Sequence, residues 1–382
     1  MKYALIGPTY PYRGGLAHFT TLLVRRLREQ HTVTFYSYKR QYPAWLFPGN
    51  IDPDPSLITM RVDAEMIIDA LNPLTYWRVA RAIVADKPDA LILQWWTPYW
   101  LPLHALVAAA AHRAGIPVIY LCHQLVEPDS SPAEWQIARL GLAQGDAFIM
   151  LTQREHAIVQ LAFPGRPTRV APLPVFDQFP DASQTPTQAR LQLGLPIDVP
   201  LLLCFGFVRR YKGINYLLEA LAQIERNVYL VIAGEFWEPE QEYRAQLDRL
   251  GLADRVLLHN RYVPNEDVAA YFTAADALVL PYVSGSQSGV AMIAVHYGLP
   301  VIATNVGGLS ETIVDGQNGL IVPPADSGQL ARAIARFFDE NVADSMRAAM
   351  QQSQQRLSWA ALTSMIEELT HELCETAAPA TR

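Results

Sequence analysis

Ser286, Gln287, Ser288, Gly289 and Val290 stand at the start of an apolar segment of helical length, and most of their side chains are small or polar. The first turn of a helix leaves backbone N–H groups without partners, and the helix dipole adds partial positive charge there. Such a start suits an anion, so a phosphate-bearing ligand is the first chemistry this chain suggests. The stretch runs from Gly285 to Pro324. It continues as an apolar strand at Pro300–Thr304, a glycine turn at Gly307-Gly308, a second helix and a second strand. Glu311 falls at the start of that second helix, where the dipole favours a carboxylate with or without a ligand.

Two further turns carry charge or bare backbone. Gly206 closes the apolar run Leu201–Phe205 and opens Phe207-Val208-Arg209-Arg210-Tyr211-Lys212-Gly213. Arginine grips phosphate oxygens with two parallel donors, and lysine supplies a compact charge. Cations at a strand's carboxyl end lie where open α/β sheets bind ligands, which sets Arg209 and Lys212 above ordinary solvated surface charge. Offsetting the charge of a departing diphosphate is an electrostatic task that needs no proton transfer. The other turn runs from Gly7 to Arg13-Gly14-Gly15 ahead of a helical pattern. Its glycines allow close approach of backbone to a ligand, but it lacks G-x-G-x-x-G spacing, which disfavours a dinucleotide cofactor. His123 follows the apolar run ending at Cys122, a place that fits either a structural histidine or a ligand contact.

The elements that must hold these residues alternate strand and helix. Tyr3–Gly7, the helical spacing of Phe19, Leu22, Leu23 and Leu27, and Thr32–Tyr36 predict a β–loop–α–β unit. Ala90–Gln94, Val118–Cys122 and Ala147–Leu151 predict further buried strands. A proline-rich stretch over 172–200 interrupts the alternation, which restarts at Leu201 and continues through Val228–Ile232, Val256–Leu258 and Ala277–Leu280. The expected architecture is α/β, with two Rossmann-like, doubly wound parallel-sheet domains facing a cleft. The expected boundaries are 1–175, a linker at 176–198, and 199–356. A closing helical segment at 357–382, apolar on one face, is expected to return to the N-terminal domain.

Taken together, Gly206…Lys212-Gly213, Gly289…Gly298-Leu299-Pro300-Val301-Ile302-Ala303-Thr304, Gly307-Gly308, Glu311, Asp315-Gly316 and Gly319-Leu320 resemble the family 4 (group 1 type) glycosyltransferases. Arg13-Gly14-Gly15 and the following helix resemble that family's N-terminal acceptor and phosphate loop. The resemblance implies a GT-B fold with the nucleotide-sugar held mainly by the second domain. It also implies sugar transfer with retention at the anomeric carbon, no cofactor and no metal. Residue by residue, Lys212 matches the lysine on the donor diphosphate, and Arg209 matches the family arginine with a displacement of two positions. Gly14 and Gly15 match the loop whose amides meet diphosphate or acceptor, and His123 the histidine that touches the donor sugar. Gly206, Ser286, Gln287, Ser288, Gly289, Val290 and Glu311 complete the implied donor site. Where the family carries two glutamates eight positions apart, this chain has Gly285 and Ile293.

Composition narrows the function classes. Of 382 residues, 51% are apolar and 18% charged, which fits globular domains rather than disorder. No apolar run reaches membrane-spanning length, and Met-Lys-Tyr-Ala-Leu-Ile-Gly reads directly as strand and turn rather than as a signal peptide. Three cysteines without metal-ligand spacing fit a reducing compartment, so the cytoplasm is the expected location. The net charge of −7 is unevenly spread: residues 1–175 hold 16 Lys+Arg against 13 Asp+Glu. No basic stripe with interleaved aromatics argues for nucleic acid. Arg25, Arg26 and Arg28, with the aromatic segments Gln94–Trp100 and Tyr42–Pro48, permit peripheral contact with the inner membrane face; interdomain packing of the tryptophans is the plainer alternative.

The expected function is transfer of a sugar from a nucleotide-diphosphate sugar to a hydroxyl of a glycan, lipid-linked or small-molecule acceptor. A non-catalytic nucleotide-sugar sensor, suggested by Gly285 and Ile293, and a sugar-nucleotide epimerase stand as alternatives; the epimerase lacks an evident acid–base pair. Base, sugar, acceptor and oligomeric state are not written in these residues.

Overall fold

Short apolar runs buried on both faces form the central strands, as parallel sheets covered by helices on each side require, while the edge strands are only partly buried. The structure, a computed structural model, describes residues 1–46, 53–57, 61–126 and 131–377. The chain divides into two units, one of Met1–Asp54, Met60–Pro174 and Ser358–Arg382, the other of Pro55–Thr59 and Val175–Leu357.

In the first unit, β1 (Lys2–Ile6) leads through a glycine loop into α1 (Gly15–Leu27) and then β2 (Thr32–Arg40). Next come β3 (Glu65–Asp69), α2 (Leu74–Asp86), β4 (Ala90–Trp95), α3 (Leu101–Arg113) and β5 (Val118–Cys122). α4 (Pro132–Leu142), β6 (Ala147–Met150), α5 (Gln153–Ala162) and β7 (Thr168–Val170) complete the alternation. The sheet runs β3-β2-β1-β4-β5-β6-β7, all parallel. Its order reverses between β1 and β4, where Tyr3 pairs with Ala90 and Ile6 with Leu93. Ligands of open α/β sheets bind outside the carboxyl ends of strands at such a reversal.

The second unit opens with α6 (Pro186–Gln192), started by a capping box between Thr185 and Gln188. β8 (Leu201–Phe205), α7 (Ile214–Ala222), β9 (Tyr229–Ala233), α8 (Glu240–Leu250) and β10 (Val256–His259) follow. After α9 (Asn265–Ala274) come β11 (Ala277–Leu280), α10 (Gly289–Tyr297), β12 (Val301–Thr304), α11 (Leu309–Thr312) and β13 (Gly319–Val322). α12 (Ser327–Asp339) and α13 (Ala343–Arg356) close it. This sheet runs β10-β9-β8-β11-β12-β13, again all parallel, and reverses between β8 and β11. Buried Arg190 ties α6 to the sheet: it donates to the carbonyls of Ala274, Ile197 and Val199 and pairs with Asp276 at 3.1 Å.

The last helix, α14 (Trp359–Ala377), packs on α1 in the first unit. The Phe19 and Trp359 rings lie 5.2 Å apart, and Glu367 meets His31 at 2.7 Å.

Neither role expected for the tryptophans applies to Trp95 and Trp100. Both are fully buried in the first unit's own core, and Trp95 Nε1 donates to Leu125 O at 3.0 Å. Trp96 is buried as well, its indole N–H donating to the Tyr42 hydroxyl at 2.9 Å. Trp95 ends β4 itself, and a single 3-10 turn at Pro98–Trp100 brings Trp100 against Tyr38, ring centroids 4.5 Å apart. Phe47 and Pro48 lie outside the described residues.

Candidate functional site

Three segments of the second unit converge where β8 and β11 part. Gly206, at φ 90°, follows β8, and a Cβ there would lie 3.0 Å from Lys212 Nζ and 3.2 Å from Val290 Cγ2. Bare backbone, cation and helix start are thus immediate neighbours. The loop carrying Lys212 is pinned to the loop after β11 by a bond from Val283 N–H to Tyr211 O at 2.7 Å.

Lys212 is buried, its ammonium donating to Phe205 O at 3.3 Å and standing 5.6 Å from the centre of the Tyr282 ring. Among the described residues no carboxylate pairs with it. Burial pulls its pKa from 10.5 down to about 8, a fall that the Cys204 thiol partly offsets and the Arg209 charge deepens. A buried ammonium facing only a carbonyl and a π face is short of negative charge, which a bound anion would supply. Arg209 stacks between Tyr211 and Trp237, its guanidinium carbon 5.1 and 5.2 Å from the two ring centres. Arg210 points outward toward Glu238.

α10 begins at this point. Ser288 caps it, its hydroxyl accepting from Ala291 N–H at 3.3 Å and meeting the Tyr282 hydroxyl at 3.2 Å. With Ala291 N–H taken by the cap and Met292 N–H by Ser288 O, the Gly289 and Val290 amides are those the helix geometry leaves for a ligand. Ser288→Ala should therefore cost about 1 kcal/mol in a urea titration, as lost N-caps do, with a parallel weakening of anion binding. Gly308 N–H donates to Ser286 O at 2.6 Å, so the 307–308 turn is fastened to the loop before α10 and brings exposed Glu311 on α11 to the same end of the sheet. Ile293 is buried on α10, and Gly285 sits at φ 147°.

In the first unit, Gly14 (φ 99°) is the N-cap of α1 and Gly15 its first residue, with no acidic side chain in the first turn. No acidic side chain of α1 itself offsets that positive end, and the nearby carboxylate of Asp54 stands 3.5 Å from His18 Nε2 on the same helix. His123 is half-buried beside it. The ring lies edge-on to Phe19 with centroids 4.6 Å apart, its amide donates to Trp95 O at 2.8 Å, and Nε2 stands 3.0 Å from Gln94 Oε1. Burial drives its pKa from 6.5 to about 3, so the imidazole is neutral near pH 7 and offers hydrogen bonds rather than charge.

Several contributors escaped the sequence reading. Tyr282 supports both Lys212 and Ser288, and Trp237 holds Arg209. Gln94, which orients His123, also accepts from Thr20 Oγ1 at 2.7 Å. A single amide inside the otherwise apolar run Ala90–Trp95 was the signal for Gln94. Of the arginines expected to face a membrane, Arg28 donates to Val33 O and Asp63 O and Arg26 to Glu29, while Arg25 is exposed. Among the described residues no His, Cys, Asp or Glu cluster suits a metal ion, and no helix is long and apolar enough to cross a membrane.

Known proteins carry the same pattern. Residues 199–340 match the family described as "Glycosyl transferases group 1", and residues 14–175 match "Glycosyl transferase 4-like domain". The D-inositol 3-phosphate glycosyltransferase of Streptomyces scabiei is 30% identical over 363 residues, 85% of this chain and 79% of its own length. That of Xylanimonas cellulosilytica is 30% identical over 285 residues, 69% of this chain and 68% of its own length. Among solved structures, Anabaena HepE in complex with UDP-glucose superposes with a TM-score of 0.75 at 20% identity, covering 97% of this chain and 100% of that one. Sucrose-phosphate synthase from Thermosynechococcus elongatus gives 0.74 at 22% identity, over 98% and 99%. These likenesses establish the GT-B type of fold, two Rossmann-like parallel-sheet units.

Proposed function

Because this chain belongs to the group 1 glycosyltransferases, we propose that it moves a sugar from a nucleoside-diphosphate donor to an acceptor hydroxyl, with retention and without a metal ion. The observation that carries the reading is Lys212: a buried ammonium that pairs with no carboxylate among the described residues, beside the bare backbone of Gly206 and the start of α10. In this role Lys212 and Arg209 neutralise the departing diphosphate, and the Gly289 and Val290 amides hold its oxygens. The acceptor hydroxyl attacks from the face the leaving group vacates. Neutral His123 is assigned a hydrogen bond to a sugar hydroxyl, and the Gly14-Gly15 amides an anionic group of donor or acceptor.

The UDP-glucose complex of HepE supports uridine as the base to try first, and the relatives' names support inositol phosphate among the acceptors. One observation favours a second reading, a nucleotide-sugar sensor. Gly285 and Ile293 supply no carboxylate where the family has two, and Ile293 is turned into the core.

Product analysis by NMR separates these readings. UDP-, GDP- and ADP-sugars are each incubated with glycan, lipid-linked and inositol phosphate acceptors in the presence of EDTA. The proposal expects nucleoside diphosphate release and an α-linked product from an α-linked donor. A β-linked product overturns retention, and loss of turnover on chelation overturns metal independence. Binding without turnover in every mixture makes the chain a sensor.

A further inference from the structure

We infer that the outer face of α2 and α3 is a docking surface for an anionic lipid bilayer. A groove of about 490 Å³ opens between these helices, its floor made by Trp77, Ala80, Val84, Leu106, Ala109 and Ala110. Arg81 and Arg113 stand on its rim. Trp77 is 60% exposed, and Leu74 (70%) and Leu71 (55%) extend the apolar surface past the groove toward the start of α2. A soluble surface rarely leaves so many large apolar side chains together without a use.

Charge identifies the occupant. Arg78 flanks Trp77, and among the described residues none of Arg78, Arg81 and Arg113 is in an ion pair or hydrogen bond. α3 contains no acidic residue, and α2 contains only Asp86, whose carboxylate is taken by Lys2 at 2.7 Å and Thr34 at 2.8 Å. The groove lining therefore holds arginines and no carboxylate, on a chain whose net charge is −7; the nearby Asp146 is paired with His112 at 3.0 Å. An anionic bilayer would repel most of this molecule and attract this face, which orients the approach. Tryptophan and leucine then enter the headgroup level while guanidinium groups meet lipid phosphates, the division of labour found in interfacial helices. A second copy of the chain is disfavoured as occupant, because a two-fold contact would set the arginines against one another.

Co-sedimentation of the full chain with vesicles tests this, and its readout is partition rather than turnover, so it stands or falls apart from sugar transfer. Binding is expected to vesicles of phosphatidylcholine mixed with phosphatidylglycerol, to weaken as salt rises, and to be near absent for phosphatidylcholine alone. Each arginine contributes roughly a fivefold gain in partition, so the Arg78→Glu, Arg81→Glu, Arg113→Glu variant should bind at least roughly 100-fold less. Trp77→Ser, which keeps every arginine and changes one exposed side chain, should bind about tenfold less, with an unchanged circular dichroism spectrum. Equal binding to both vesicle types, no binding by the parent, or full binding by Trp77→Ser overturns the inference. So does a dimer in gel filtration that Trp77→Ser dissolves, which would make a second copy the occupant.

Discussion

Replacing Lys212 by alanine is expected to lower kcat for sugar transfer by about 10²–10³, the usual cost of removing one preorganised donor from a developing negative charge. Stability should not fall with it. In the ligand-free protein the folded-state pKa of Lys212 is about 8 against 10.5 for the free side chain, with burial the main cause. Between those values the unfolded chain holds the proton and the folded chain releases it, so stability rises with pH across that window. Below it, the folded protein carries the full cost of a desolvated ammonium. The gap between 10.5 and about 8 corresponds to about 3 kcal/mol. Alanine removes that cost and loses the packing of the lysine stem, so the variant's Tm at pH 7 should equal or exceed the parent's. The same pKa predicts that kcat/KM of the parent declines as pH rises through about 8, because the free enzyme loses the charge that meets diphosphate. UDP should raise the parent's Tm more than the variant's. Unchanged transfer by the variant would put the diphosphate elsewhere; a sharply lower Tm would make Lys212 a structural residue.

What could be read beforehand, and what could not, follows from the range of the interactions involved. Gly206, Lys212 and Gly213 lie within a few residues of one another, and their place after an apolar run already implied a strand end. The helix start at Ser288 was equally local, because capping uses side chain and backbone only three residues apart. Tyr282 was not legible: its support of Lys212 spans 70 positions and depends on β8 and β11 being neighbours, which alternation alone does not specify. β3 was missed because Glu65 and Asp69 bound an edge strand whose apolar core is three residues long. The tryptophans at and just beyond the end of β4 were misplaced for a related reason. An aromatic beyond a strand turns inward or outward according to the next few backbone angles, and composition is silent on those. The cationic groove of α2 and α3 is also nonlocal, since Trp77 and Leu106 meet only when the two helices pack.

Gly307→Ala should damage both fold and ligand binding, and a second glycine separates the two causes. Gly307 sits at φ 56°, where an alanine costs about 1–2 kcal/mol by itself. Its Cβ would also run into the carbonyl oxygens of Gly285 and Ser286, in the loop that leads to α10. Those are backbone atoms and cannot rotate away, so the 285–288 loop must move, and the 2.6 Å bond from Gly308 N–H to Ser286 O must stretch or break. A total loss of about 3 kcal/mol or more is expected in urea unfolding, together with at least about tenfold weaker UDP binding. Gly316 provides the contrast. It has φ 72°, yet its Cβ would meet nothing within 4 Å, so Gly316→Ala pays only the left-handed backbone cost and should bind UDP as the parent does. The difference between the two variants isolates the contact between the 307–308 turn and the loop before α10. Equal losses in both, or normal UDP binding by Gly307→Ala, would mean that this contact does not shape the anion site.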